Sequence, residues 1–164
     1  MEQLNISQLR NLWLRSPDER LASWREFRIE LQSLNGCAFD DNNLLASLKA
    51  ISIWWAQAPE VTVAIDPYNS NSWPTIWEII HQGECCKYSR GLAMAYNMHY
   101  LDTDAHITVD RVYDEKFGDE YLLANYNNQY ALNTPYEHVL NLQNVDALKV
   151  KESWDIKTCL QQKQ

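Results

Sequence analysis

The chain has 164 residues, 46% of them apolar, with seven Trp and nine Tyr but only four Gly and five Pro. This composition excludes a disordered chain and a turn-rich repetitive β protein, and the length allows one domain with a substantial core. The net charge of −8 is spread over the sequence: no Lys/Arg cluster exists to bind nucleic acid, and no apolar run approaches a membrane span.

The N-terminus, MEQLNISQLRNLW, lacks the charged-then-apolar pattern of a secretory signal, so a soluble, cytoplasmic protein with reduced cysteines is expected. Residues 6–14 and 17–34 read as two helices. The second opens on SPDE, with Ser16 as N-cap, Pro17 at the first helical position and Glu19 completing a capping box. Leu21, Trp24, Phe27, Leu31 and Leu34 then recur at helical spacing, and Gly36 stands where the helix should stop. A third helix is expected over 42–57, with Leu48, Trp54 and Trp55 inward and Pro59 beyond its end.

VTVAIDPYNSNSWP reads as a short extended run and a turn-rich loop. PTIWEIIHQG reads as a short helix started by Pro74 and stopped by Gly83. The spacing from Trp73 to Trp77 predicts two indoles on one face of that helix, as a lid on the core or a binding wall. A longer helix spans 85–100. Its apolar face carries Leu92, Ala93, Ala95 and Tyr96, with Gly91 and Ala93 permitting close approach. The expected core comprises Trp24, Phe27, Leu48, Trp55, Leu92, Ala95 and Tyr96.

After Leu101 the pattern changes period. HITVDRVYD alternates, EYLLANY is mostly apolar and QYALN is short, with EKFGD and NN as hairpin links. Strands are expected near 106–114, 119–126 and 129–133, forming an antiparallel meander that ALKVKESW can extend. The fold class is α+β in a single domain, 1–164: a helical part over 1–60, then a cysteine helix and meander over 61–164.

The chemistry concentrates in GECCKY. A cysteine in the first turn of a helix feels the positive end of the helix dipole, which favours thiolate. Set against this, cysteine is among the most buried residue types and is usually inert. Neither C-x-x-C nor H-x-x-x-H is present, so no metal and no cofactor are expected.

Gly83, Cys85 and Tyr88 at the start of a helix, followed by a small meander ending in ALNTP, resemble the transglutaminase-like (papain-like cysteine) superfamily over residues 83–135. That resemblance implies a cysteine helix packed on an antiparallel sheet. It also implies a catalytic His opening the second strand after the helix and an Asp or Asn ending the third, where Asn133 stands. In this register the His position falls on Glu120 or Tyr121 and the base is missing, so Cys85 and Cys86 are expected to be non-catalytic. A second register takes His106 as base and Asn127, opposite it across the hairpin, as its orienting amide. It yields a complete set for acyl transfer or amide hydrolysis, with Cys85 or Cys86 as nucleophile, but skips a strand of the superfamily order.

Residues 66–96 also resemble a segment of small uncharacterised proteins of tailed bacteriophages, with Asp-Pro, Trp-Pro-x-x-Trp-Glu and Cys-x-aromatic-Ser in that order. The implied protein is made in the host cytoplasm, is virion-associated or host-directed, and acts through a protein partner, with Trp73, Trp77 and Tyr88 as binding residues. The acidic balance leaves a third reading, an inhibitor that mimics nucleic acid. The remaining histidines are read as local: His81 near the end of the short helix, His99 on an apolar helix face, His138 at the surface.

Overall fold

The computed structural model describes residues 5–35 and 40–163; Gly36, the expected helix stop, and Cys37 lie outside the described residues. The described residues form six helices: α1 (Ile6–Trp13), α2 (Pro17–Asn35), α3 (Asp41–Ala56), α4 (Ile76–Gln82), α5 (Lys87–Leu101) and α6 (Ile156–Gln161). Strands β1 (Ile107–Asp114), β2 (Asp119–Tyr126), β3 (Tyr130–Leu132), β4 (Leu140–Asn141) and β5 (Leu148–Asp155) form one antiparallel sheet, ordered β4-β3-β2-β1-β5. The arrangement is α+β, with α1 to α5 ahead of the sheet in sequence, α6 after it and α5 lying across it.

Local chemistry explains most boundaries. Asn5 caps α1 and Asp40 caps α3, each accepting backbone N–H groups of its first turn. At α2 the Ser16 hydroxyl accepts the Glu19 N–H at 3.3 Å. Helix α4 starts at Ile76, two residues after Pro74, because Thr75 and Glu78 form a reciprocal capping box, and Gly83 ends it at φ +74°. The β2–β3 link is a pair of left-handed asparagines, Asn127 and Asn128, the geometry a tight hairpin demands.

The extended run after Pro59 does not become a strand. Only Glu60 bridges Cys85, with Cys85 N–H donating to the Pro59 carbonyl and Val61 N–H to the Cys85 carbonyl, both at 3.0 Å. Helix α5 begins two residues later, so no partner strand remains beside residues 62–65. The expected extension of the meander does form: β5 pairs with β1 along its length. The two-residue β4 was not foreseen.

All seven expected core residues are buried. Trp13, Trp54 and Trp55 pack edge to face or tilted, and Phe27 stacks on Trp54. The indole N–H groups of Trp24 and Trp55 both donate to Asn97 Oδ1 at 3.0 Å. Arg20, 7% exposed, donates to the carbonyls of Ile80, His81 and Arg15, so α2 holds the C-terminal end of α4. The sheet buries its other face in a smaller cluster around Val112, Tyr121, Leu123, Ala131 and Leu140. Among the described residues, no helix is long and apolar enough to cross a membrane.

Candidate functional site at the start of the cysteine helix

Cys86 is the N-cap of α5, not a residue of its first turn. Its sulfur accepts the Ser89 N–H at 3.4 Å, while its own N–H donates to Ser89 Oγ at 2.9 Å. This is a capping box with a thiol where a hydroxyl usually sits. Cys85, one residue earlier, is pinned on both sides by the strand-like contact with Pro59 and Val61. Both cysteines are fully buried.

Their environments split them. Burial pushes the Cys85 thiol up to about 12, only partly opposed by the charge of Arg90 and the Ser89 hydroxyl. Burial also acts on Cys86, but hydrogen bonds from Ser89 and from the N–H groups of Ala64 and Tyr88 outweigh it and lower that thiol below its ordinary value. Desolvation therefore wins at the first cysteine only.

Facing the start of α5 is the start of β2. Lys87 Nζ pairs with Asp119 at 2.5 Å, and Tyr88 O–H donates to Glu120 Oε1 at 3.4 Å. Glu120 also accepts Tyr68 O–H at 2.7 Å and lies 3.3 Å from Arg111, whose guanidinium stacks over the Tyr68 ring and reaches Glu152. Asn133, just past β3 at φ +70°, donates from Nδ2 to the Lys87 and Leu122 carbonyls at 2.8 and 2.7 Å. Cys86, Tyr88, Glu120 and Asn133 are thus gathered around one helix end.

His106 and Asn127 meet elsewhere. The His106 N–H donates to Asn127 Oδ1 at 2.7 Å, and His106 Nδ1 lies 3.7 Å from Asp155. The register sets Ile107 opposite Tyr126 at one end of the hairpin and Asp114 opposite Asp119 at the other. That separates His106 from the end beside Lys87 by eight residue steps, roughly 27 Å of strand. His81 is exposed, and its carbonyl is taken by Arg20. His99 packs near Tyr100 at the far end of α5, and His138 lies by Ser52.

The two tryptophans do not share a face. Trp73 precedes the helix that begins at Ile76, so four-residue spacing does not place it above Trp77. It is 1% exposed, donates to the Asp66 carbonyl at 2.7 Å and packs on Trp154. Trp77 is 41% exposed and meets the edge of Trp24, beside Tyr100. The clamp on Glu120 was missed from sequence, because Tyr68 and Arg111 reach it from segments with no local signature. Among the described residues, no group of three His, Cys, Asp or Glu side chains is placed to hold a metal ion.

No family model matches the sequence, and no curated protein matches it. The structure is similar to Legionella pneumophila LapG, a transglutaminase-like cysteine protease, with a TM-score of 0.65 and 11% identity over 92% of this chain and 84% of that one. At that identity the likeness speaks for the architecture, and the fold of this chain is transglutaminase-like.

Proposed function

We propose that this is a transglutaminase-like domain without Cys–His chemistry, acting through contact with a protein partner at the end of the sheet where α5 begins. One observation carries the reading. The side chains at the start of β2 that face the first turn of α5 are Asp119 and Glu120, not a histidine, and Tyr68, Tyr88 and Arg111 hold Glu120 in place. Thiol attack needs a base to take the proton and a group to orient that base. The groups directed at the Cys86 sulfur are backbone N–H donors and the Ser89 hydroxyl, none of which is a base at neutral pH. The resemblance of residues 66–96 to tailed-phage proteins supports a partner in the virion or the host.

The trio of N–H groups at Cys86 favours a second reading, acyl transfer through a thiolate formed without a base. Iodoacetamide separates the two. Under the binding reading, the native chain is alkylated at neutral pH no faster than a free thiol, and Cys86→Ser leaves partner capture unchanged. Rapid single-site alkylation of Cys86, with turnover of a peptide thioester that Cys86→Ser abolishes, would replace it with the acyl-transfer reading.

A further inference from the structure

A cavity of about 510 Å³ opens beside the first turn of α5, between that helix, the β1–β2 turn at Phe117 and Gly118, and the segment after β3. Two cations of α5, Lys87 and Arg90, stand three residues apart on the face lining it, and two carboxylates, Glu60 and Asp119, line it as well. The cations differ in their state. Lys87 is satisfied by Asp119 at 2.5 Å. The Arg90 side chain is only 17% exposed, yet among the described residues its guanidinium makes no hydrogen bond. Glu60, 67% exposed, stands 3.6 Å away, and Arg90 Nε is wholly inaccessible to solvent and unpartnered. A guanidinium carries five donors in a rigid fork, and burying it without partners is costly.

We propose that this cavity binds a carboxylate carried by a peptide, with Arg90 as its anchor. The inference rests on the binding reading above and names what that site takes. A carboxylate matches the fork in two parallel hydrogen bonds. The neighbouring Glu60 and Asp119 discriminate against a phosphate dianion, which they repel about twice as strongly as a monoanion. The same two acids accept the N–H groups that a peptide carries next to its carboxylate.

The sheet supplies the rest. Strand β3 pairs with β2 only at residues 124–126, so the first half of β2 has a free edge on this side. The Leu122 carbonyl points there, where Asn133 Nδ2 covers it, and by alternation the Glu120 carbonyl faces the same way. Phe117, 53% exposed, offers an apolar contact at the mouth.

The test is a titration of the full chain followed by amide and arginine Nε–Hε NMR signals, with N-acetylglycine, N-acetylglycinamide and inorganic phosphate as probes. N-acetylglycine should give saturable shifts at Arg90 Nε–Hε, Lys87, Gly118 and Asn133, and the uncharged amide none. Arg90→Gln should weaken binding about ten-fold or more, with its signal dispersion retained as evidence of folding. Arg90→Lys, which keeps the charge but not the fork, should bind more weakly than the native chain. Short peptides bearing either a free C-terminus or an internal Asp with an amidated end then identify the source of the carboxylate.

The proposal is overturned if no carboxylate saturates, if the amide shifts the same signals, or if phosphate binds more tightly than N-acetylglycine. These outcomes stand on the native chain alone should a variant fail to fold. Rapid thiol alkylation with thioester turnover would end the binding reading and leave the cavity result intact. Loss of carboxylate binding with inert thiols would end the cavity assignment only.

Discussion

Cys85 and Cys86 share a peptide bond and are equally sealed from solvent, so burial alone cannot distinguish them. What differs is the direction of the neighbouring N–H groups. Those of Ser89, Ala64 and Tyr88 converge on the Cys86 sulfur, whereas desolvation dominates at Cys85. Alkylation of the native chain should therefore label Cys86 first at neutral pH. Labelling of Cys85 should rise only as the pH approaches about 12. Equal rates in peptide mapping at neutral pH would refute this assignment of the N–H groups. Asn97 illustrates a second residue whose role depends on donors from elsewhere. Its Oδ1 serves two buried indoles, from α2 and α3. Asn97→Ala strands both, and at about 1–3 kcal/mol for each unsatisfied buried donor the chain should lose about 3 kcal/mol in denaturant titration. A loss below 1 kcal/mol would mean that the indoles find other partners.

Helix α5 meets the sheet through its smallest residue. A Cβ on Gly91 would stand 2.0 Å from the Leu122 carbonyl oxygen, a backbone atom that cannot move without shifting β2. Gly91→Ala should cost about 3 kcal/mol or more through overpacking, despite the better helix propensity of alanine; a thermal midpoint at or above the native one would refute that close approach. The loop between Glu60 and Trp73 is held by a different device, the Tyr68–Glu120–Arg111 clamp. Glu120→Ala releases the phenol and leaves Arg111 one anion fewer, so amide exchange over residues 61–69 should accelerate while that of α3 and β1 stays unchanged. Helix and strand positions were legible because each has a short-range cause: Thr75 with Glu78, Gly83 at positive φ, and Asn127–Asn128 at a hairpin. The run at 61–65 does not become a strand, for the complementary reason. Its alternation is that of a strand, but strand formation needs a neighbour, and Cys85 supplies only one residue before α5 starts.

Across the whole molecule, legibility fades with the sequence distance a contact spans. Asn133 was picked out by its place at the end of a short strand, and it does sit against the first turn of α5, 46 residues away. The Arg20 cap on α4, some 60 residues away in sequence, and the Tyr68–Glu120 bond, over 52, have no periodicity to announce them. The same burial that hides those contacts sets how stability responds to pH. Tyr88 is pushed up to about 12 by burial and by Glu120, and Tyr96, Tyr121 and Tyr126 are raised by burial, the last two also by their bonds to Asp114 and Asp102. A raised phenol keeps its proton in the folded state when the unfolded chain has lost it. Its contribution is complete below the unfolded value of about 10 and is lost as the pH climbs through the folded one. His99 works on the other flank. Burial lowers it, with Lys157 adding and Asp155 opposing, so the unfolded chain binds the proton first. That contribution is present above about 6.5 and lost as the pH falls below it. Denaturant midpoints should therefore decline below about pH 7 and again above about pH 9, first as the raised Cys85 and Cys159 thiols and then as the phenols lose their protons in the unfolded chain, the phenol part of the decline coinciding with tyrosinate absorbance. His99→Gln should flatten the slope between about pH 5 and 7 and leave the alkaline limb in place. A midpoint that holds from pH 10 to 12 would show that the phenols ionise without opposing the fold.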